Sequence, residues 1–97
     1  MVTVKDAVGM AIEFAQSVLG SSRTVDLRLE EVESTKVNGD DVWSITLSMQ
    51  EPQTVSNLST QLAAAFGKGP REYKSFTVNA TTGQVLSMKI RELAGAD

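Results

Sequence analysis

The chain reads as an α+β domain: a long N-terminal helix packed on a four-stranded antiparallel sheet, in the order α-β-β-α-β-β and in two layers. Three observations predict this. The first 19 residues carry a wide apolar arc at helical spacing behind a capping signature. The segments 43–49 and 73–90 alternate apolar and polar residues with the period of a strand. Asn38-Gly39 and Thr82-Gly83 are the turn chemistry of tight antiparallel connections.

The helix comes first. Thr3 stands as its N-cap, and Asp6 completes a T-x-x-D capping box near the positive helix end. On a helical wheel Lys5, Asp6, Gly9, Glu13, Gln16 and Ser17 fall within one arc of about 120°. Val4, Ala7, Val8, Met10, Ala11, Ile12, Phe14, Ala15, Val18 and Leu19 fill the other side. An apolar arc that wide predicts a helix lying across a sheet. Gly20-Ser21-Ser22 ends it.

The first strand is expected to begin near Thr24, with Val25, Leu27 and Leu29 alternating against Asp26, Arg28 and Glu30. The alternation then slips: Glu31 takes an apolar position and Val32 follows out of phase. A β-bulge or bend at Glu30-Glu31 restores the inward set, because one extra residue flips every later side chain. Residues 37–42 read as a turn centred on Asn38-Gly39. In the second strand Trp43, Ile45, Leu47 and Met49 face inward, and Ser44, Thr46 and Ser48 outward. Glu51-Pro52 stops it.

Residues 53–70 are too long for a plain hairpin loop. Val55, Leu58, Leu62, Ala65 and Phe66 share one helical face, which predicts a short helix over 54–66 ended by Gly67 and Gly69-Pro70. The last two strands are joined by Ala80-Thr81-Thr82-Gly83, with Gly83 free to take a positive φ. Phe76, Val78 and Ala80 from one strand, and Leu86, Met88 and Ile90 from the other, are expected to face the helix.

At 97 residues the chain is expected to be a single domain, 1–97, with one modest core. Apolar residues make up 41% and charged residues 22%, the balance of a globular protein and not a disordered one. The net charge is −3, and the nine basic residues are scattered, so no nucleic-acid-tracking stripe is present and no nucleic-acid partner is expected. The absence of Cys and His excludes disulfides, thiolate sites and the usual general base and metal ligand. No apolar run approaches the roughly 20 residues of a spanning helix, and Met1 onward lacks the basic start and apolar core of a signal peptide. The default expectation is a cytoplasmic chain with no membrane segment.

Few residues are candidates for chemistry. Asn38, Asp40 and Asp41 lack the alternate spacing of a calcium loop and read as a solvated turn. Glu30, Glu31 and Glu33 read as charge protecting a strand edge. Gly67-Lys68-Gly69-Pro70 lacks the spacing of a phosphate loop, and no G-x-S-x-G or S-x-x-K motif occurs. No cofactor or catalytic residue is expected. The outward sheet face is more distinctive. Ser44, Thr46, Ser48, Ser75, Thr77 and Ser87, with Tyr73 and Lys89 among them, make a flat face of small hydroxyls. A partner or a second copy can pack on such a face, although Ser and Thr also suit an ordinary wetted one.

The segment Tyr73, Phe76-Thr77-Val78-Asn79-Ala80, Thr82-Gly83-Gln84-Val85-Leu86 resembles the closing hairpin of PepSY-like domains. Lys5-Asp6-Ala7 followed by Ile12 and Ala15 resembles their opening helix, and Trp43 their aromatic second strand. The resemblance implies a cystatin-like fold and a role in inhibiting or regulating proteases, or in sensing at the cell envelope. The leading expectation is therefore a non-enzymatic binding or regulatory module acting through protein–protein contacts, with a protein partner or a homodimer formed on the sheet face. Two alternatives stay open. One is a secretion-chaperone or immunity-type partner protein. The other is a small cystatin-like or NTF2-like pocket enzyme or ligand binder, with Glu31 pointing into the pocket.

Overall fold

The computed structural model describes residues 1–51 and 70–91. The helix expected over 54–66 lies outside them. Helix α1 (Val4–Leu19) is followed by a 3-10 turn (Ser21–Arg23) and strands β1 (Arg28–Val37), β2 (Asp40–Gln50), β3 (Arg71–Asn79) and β4 (Val85–Ile90). The four strands form one sheet in the order β1-β2-β3-β4, each pair antiparallel.

Helix α1 starts as its capping box dictates. The Thr3 hydroxyl accepts from the Asp6 amide at 3.1 Å, and the Asp6 carboxylate accepts from the Thr3 amide at 3.4 Å. Its buried stripe is narrower than the apolar arc of the sequence. Ala7, Ala11 and Ala15, four residues apart, are fully buried, while Val4 and Val18 are exposed. The alanines let the helix backbone come close, and they share one cluster with Ile45, Leu47, Phe76 and Val78. Larger side chains wedge in at the flanks: Met10, Ile12, Phe14 and Leu19 from the helix, Val32, Trp43, Val85 and Met88 from the sheet. The Phe14 and Phe76 rings meet edge to face, with centroids 6.3 Å apart and planes at 80°. Trp43 Nε1 donates to the Val2 carbonyl at 3.2 Å, tying the chain start to β2.

Strand β1 begins at Arg28, later than the sequence suggests. Thr24 Oγ1 donates to the Gly20 carbonyl at 2.9 Å, closing the 3-10 turn, and Asp26 adopts a left-handed φ of 54°. An extended strand cannot run through that residue. The bulge expected at Glu30-Glu31 is present: Leu29 pairs with Leu47, but Glu31 pairs with Thr46, which leaves Glu30 as the extra residue. The hairpin that follows is tighter than the six-residue turn read from the sequence. Asn38 and Gly39 both take positive φ, 51° and 86°, so two residues reverse the chain and Val37 already pairs with Asp40.

The β3–β4 connection is built around Asn79. Its side-chain oxygen accepts from the amides of Thr81 at 2.8 Å and Thr82 at 2.9 Å, and its carbonyl accepts from Gly83 N at 2.8 Å. Gly83 has a φ of 80°, as the turn requires. A second register shift then corrects the expected inward set. Thr77 pairs with Ser87 but Val78 with Val85, so Val85 packs against the core and Leu86 does not. Leu86 is 46% exposed and Ile90 79% exposed; Met88 alone of the three expected β4 residues packs on the core.

Candidate functional site

Period-two geometry sorts the sheet into a face towards α1 and an outer face. Register places the seven hydroxyl and aromatic residues singled out in the sequence on the outer face, in three rows across the strands. One row runs Glu33, Ser44, Thr77, Ser87; the next Glu31, Thr46, Ser75, Lys89; the third Arg28, Ser48, Tyr73. The face divides into two unlike halves.

In one half, long side chains lie over the hydroxyls. Arg71 Nε donates to Ser48 Oγ at 2.9 Å, and Ser48 Oγ donates to the Glu30 carboxylate. The same guanidinium donates to the Asp26 carboxylate at 3.0 Å and to the Asp26 carbonyl. Arg28 reaches that carboxylate from the other side at 2.8 Å. Arg91 donates to Thr46 Oγ1 at 2.8 Å and pairs with Glu31. Ser48 and Thr46 are buried, at 0% and 3% exposure. In the other half Ser44, Ser75, Thr77 and Ser87 remain half-buried with short side chains, and the Ser44 and Ser75 hydroxyls stand 3.5 Å apart.

The electrostatics follow these contacts. The hydrogen bond from Arg28 holds the Asp26 carboxyl below the usual carboxylate range, with Arg71 adding to it and partial desolvation opposing. The Arg91 hydrogen bond lowers Glu31 in the same way, and Glu31 in turn raises Arg91. Glu31 was expected to point into a pocket, where burial raises a carboxyl. It lies instead on the exposed outer face beside a guanidinium, because the bulge turns Glu30 and Glu31 to the same side. Glu33 and Lys89 are exposed, and the Glu33 carboxylate adds to the field that raises Arg91; among the described residues neither side chain makes a close ion pair or hydrogen bond.

The arginine cladding was missed in the sequence, although a signal existed. Arg71 precedes Tyr73 by two residues and Arg91 follows Lys89 by two, so strand parity alone puts both guanidiniums on the hydroxyl face. Parity says nothing of how far a guanidinium reaches across the sheet.

Two other features lie on the helix side. Arg23 Nη2 donates to both Glu72 carboxylate oxygens at 3.2 and 3.3 Å, and buried Lys74 approaches the same carboxylate at 4.0 Å. An open groove of about 430 Å³ runs between α1 and the β3–β4 turn, with Met10, Phe14 and Val85 as its apolar lining and Glu13 as its carboxylate. Among the described residues no three carboxylates gather as a metal centre, and no helix is long and apolar enough to cross a membrane. The chain matches no family model, no curated protein and no solved structure.

Proposed function

We propose that this chain is a non-catalytic binding module that works by protein–protein contact through the open half of its outer sheet face. The reading includes the two-layer, α-β-β-α-β-β arrangement of PepSY-like and cystatin-like domains, in which a helix covers one sheet face and leaves the other for contact. Its support is the alanine stripe of α1 seated in the core with β2 and β3. The observation that carries it is the division of the outer face. Arg71 and Arg91 occupy one half, whereas Ser44, Ser75, Thr77 and Ser87 offer a low, level surface beside the exposed charges Glu33 and Lys89. Short side chains on rigid strands lose little conformational entropy when a partner covers them.

The test is affinity capture from the native host with three forms of the protein. The unmodified chain and a Glu13→Lys control on the helix retain one stoichiometric partner, or self-associate, to the same extent. Thr77→Arg, which raises a long charged side chain from the middle of the open half, loses that partner. Equal retention by Thr77→Arg and the unmodified chain would overturn the reading.

A further inference from the structure

We infer that Asn38 is a site of unaided covalent modification: the Gly39 backbone nitrogen displaces its side-chain amide, leaving aspartyl and isoaspartyl residues at the tip of the β1–β2 hairpin. This goes beyond the binding reading and does not depend on it. Three observations meet at the turn. The Asn38 side chain is exposed and, among the described residues, makes no hydrogen bond. The β1–β2 ladder ends at the pair Val37 and Asp40, so the Gly39 amide lies outside it. A Cβ built on Gly39 would meet nothing within 4 Å, so no other element crowds that residue, and glycine brings no side chain of its own.

The remaining requirement is conformational. A five-membered ring closes only when the side-chain carbon and the next backbone nitrogen come to the same side of the Cα–C bond of Asn38. The φ values of 51° and 86° are those of a type I′ turn. Turning over the single peptide between Asn38 and Gly39 makes a type II′ turn, the other common two-residue hairpin connection. The flip takes ψ of the first residue to about −120°, which brings the two atoms together, and φ of the second to about −80°, which glycine accepts. That peptide carries no ladder bond, so the pairing of Val37 with Asp40 survives the flip. An asparagine in the first II′ position is strained, which keeps the reactive conformer minor and the reaction slow. Asn79 is the internal contrast. Its side-chain oxygen accepts from Thr81 N at 2.8 Å and Thr82 N at 2.9 Å, and the Ala80 nitrogen that would attack donates to the Asp41 carbonyl at 2.9 Å.

Water is the only co-reactant. The Gly39 amide gives its proton to solvent base, its nitrogen bonds to Cγ of Asn38, and the side-chain nitrogen leaves as ammonia. Water then opens the resulting succinimide. Breaking the new bond to Cγ gives an aspartyl residue. Breaking the original peptide bond instead leaves the chain running through Cγ, an isoaspartyl residue. Either product sets a carboxylate beside Asp40 and Asp41 and makes the net charge of −3 one unit more negative. The isoaspartyl form also lengthens the two-residue turn by one backbone atom, next to the ion pair of Lys36 and Asp41 at 2.9 Å.

Peptide mapping by mass spectrometry tests the inference, on the folded protein and on the same chain in urea, sampled over weeks at mildly alkaline pH. Conversion is read as a gain of one mass unit, and isoaspartate by enzymatic methylation. In the folded protein Asn38 is expected to convert at a rate within about tenfold of that in urea, whereas folding slows Asn79 by at least about tenfold, because its hydrogen bonds must break first. The rate at Asn38 rises with pH, since the attacking nitrogen must lose its proton. Asn38→Asp, a residue type that also accepts the left-handed turn, stays folded by circular dichroism and shows no gain at that position. An Asn38 that stays intact in the folded protein while the chain in urea converts there would overturn the inference. So would conversion without isoaspartate, which excludes the ring, or a folded Asn79 that converts as fast as Asn38.

Discussion

Arg71 Nε donates to Ser48 Oγ at 2.9 Å, and Ser48 Oγ in turn donates a hydrogen bond to the Glu30 carboxylate, so one buried hydroxyl joins β3 to the bulge of β1. The side chains on either side of it are charged, and the bonds are correspondingly strong. Ser48→Ala removes an acceptor and a donor at once, and Arg71→Leu removes the guanidinium that covers the hydroxyl. Each is expected to destabilise the fold by about 1–3 kcal/mol, and the double variant by less than the sum, because the two changes break the same bond. Urea denaturation of the four-member cycle measures this. Strict additivity would mean that the bond contributes nothing.

A second close relationship is that of Gly83 with Met10. A Cβ at residue 83 would lie 2.5 Å from Met10 Sδ, and the backbone there has a φ of 80°. Gly83→Ala therefore meets strain and overlap together and is expected to lower stability by about 1–3 kcal/mol. The methionine end is flexible. Met10 also packs on the core, so the reference is Met10→Ala alone: in that background Gly83→Ala should cost only the part due to φ. Thermal melts of the unmodified chain, the two single variants and the double variant separate the two.

The alanine stripe of α1 makes a sharper demand on size. Ala11 is fully buried at the middle of the stripe, against a core that includes Ile45 and Phe76. Ala11→Leu should force the helix away from the sheet and destabilise by about 1–3 kcal/mol or more. Leucine is as good a helix former as the exposed surface needs, so Gly9→Leu on the open side should leave stability unchanged or raise it. A melting temperature for Ala11→Leu at or above that of the unmodified chain would contradict the packing described.

Acid should loosen the outer face before it loosens the core. Asp26 and Glu31 are both held below their ordinary values, by Arg28 and Arg91 respectively. A carboxyl depressed in the folded state contributes stability that is present above its unfolded pKa, about 4, and lost as pH falls through the folded value. The raised Arg91 acts in the opposite sense, losing its contribution only as pH rises through the folded value, beyond the accessible range. Stability should therefore be level at neutral pH and fall below about pH 4. The fall should be shallower in Asp26→Asn and Glu31→Gln, as read from chemical denaturation at a series of pH values. Equal slopes in all three proteins would show that neither carboxylate is linked to folding.

Local signals in the sequence were reliable where the structure is decided within a few residues. Thr3 and Asp6 cap the helix as their spacing requires, and Asn38-Gly39 turns the chain. The broken alternation at Glu31 marks a real bulge. The sequence was silent where distant parts of the chain decide. Asp26 stands in what looks like a strand, but Arg71, 45 residues away, holds its carbonyl and carboxylate in a left-handed turn. Leu86 looks inward by counting back from Met88, yet the shift opposite Val78 hands that place to Val85. Of the candidate face, the seven residues could be placed together by parity. Which of them stay open depends on where two guanidiniums come to rest, and periodicity carries no information about that.

The bulge in β1 has a consequence for how this sequence tolerates length change. In an ordinary strand, losing one residue inverts every side chain beyond it. Here Glu30 is supernumerary, and Leu29 and Glu31 already pair with the consecutive residues Leu47 and Thr46. Excising Glu30 would close the ladder into a regular one, with Leu29 and Val32 still towards the helix and Glu31 and Glu33 still outward. What would vanish is the acceptor for Ser48. The strand thus contains one position at which a codon can be lost while the frame of the sheet is preserved.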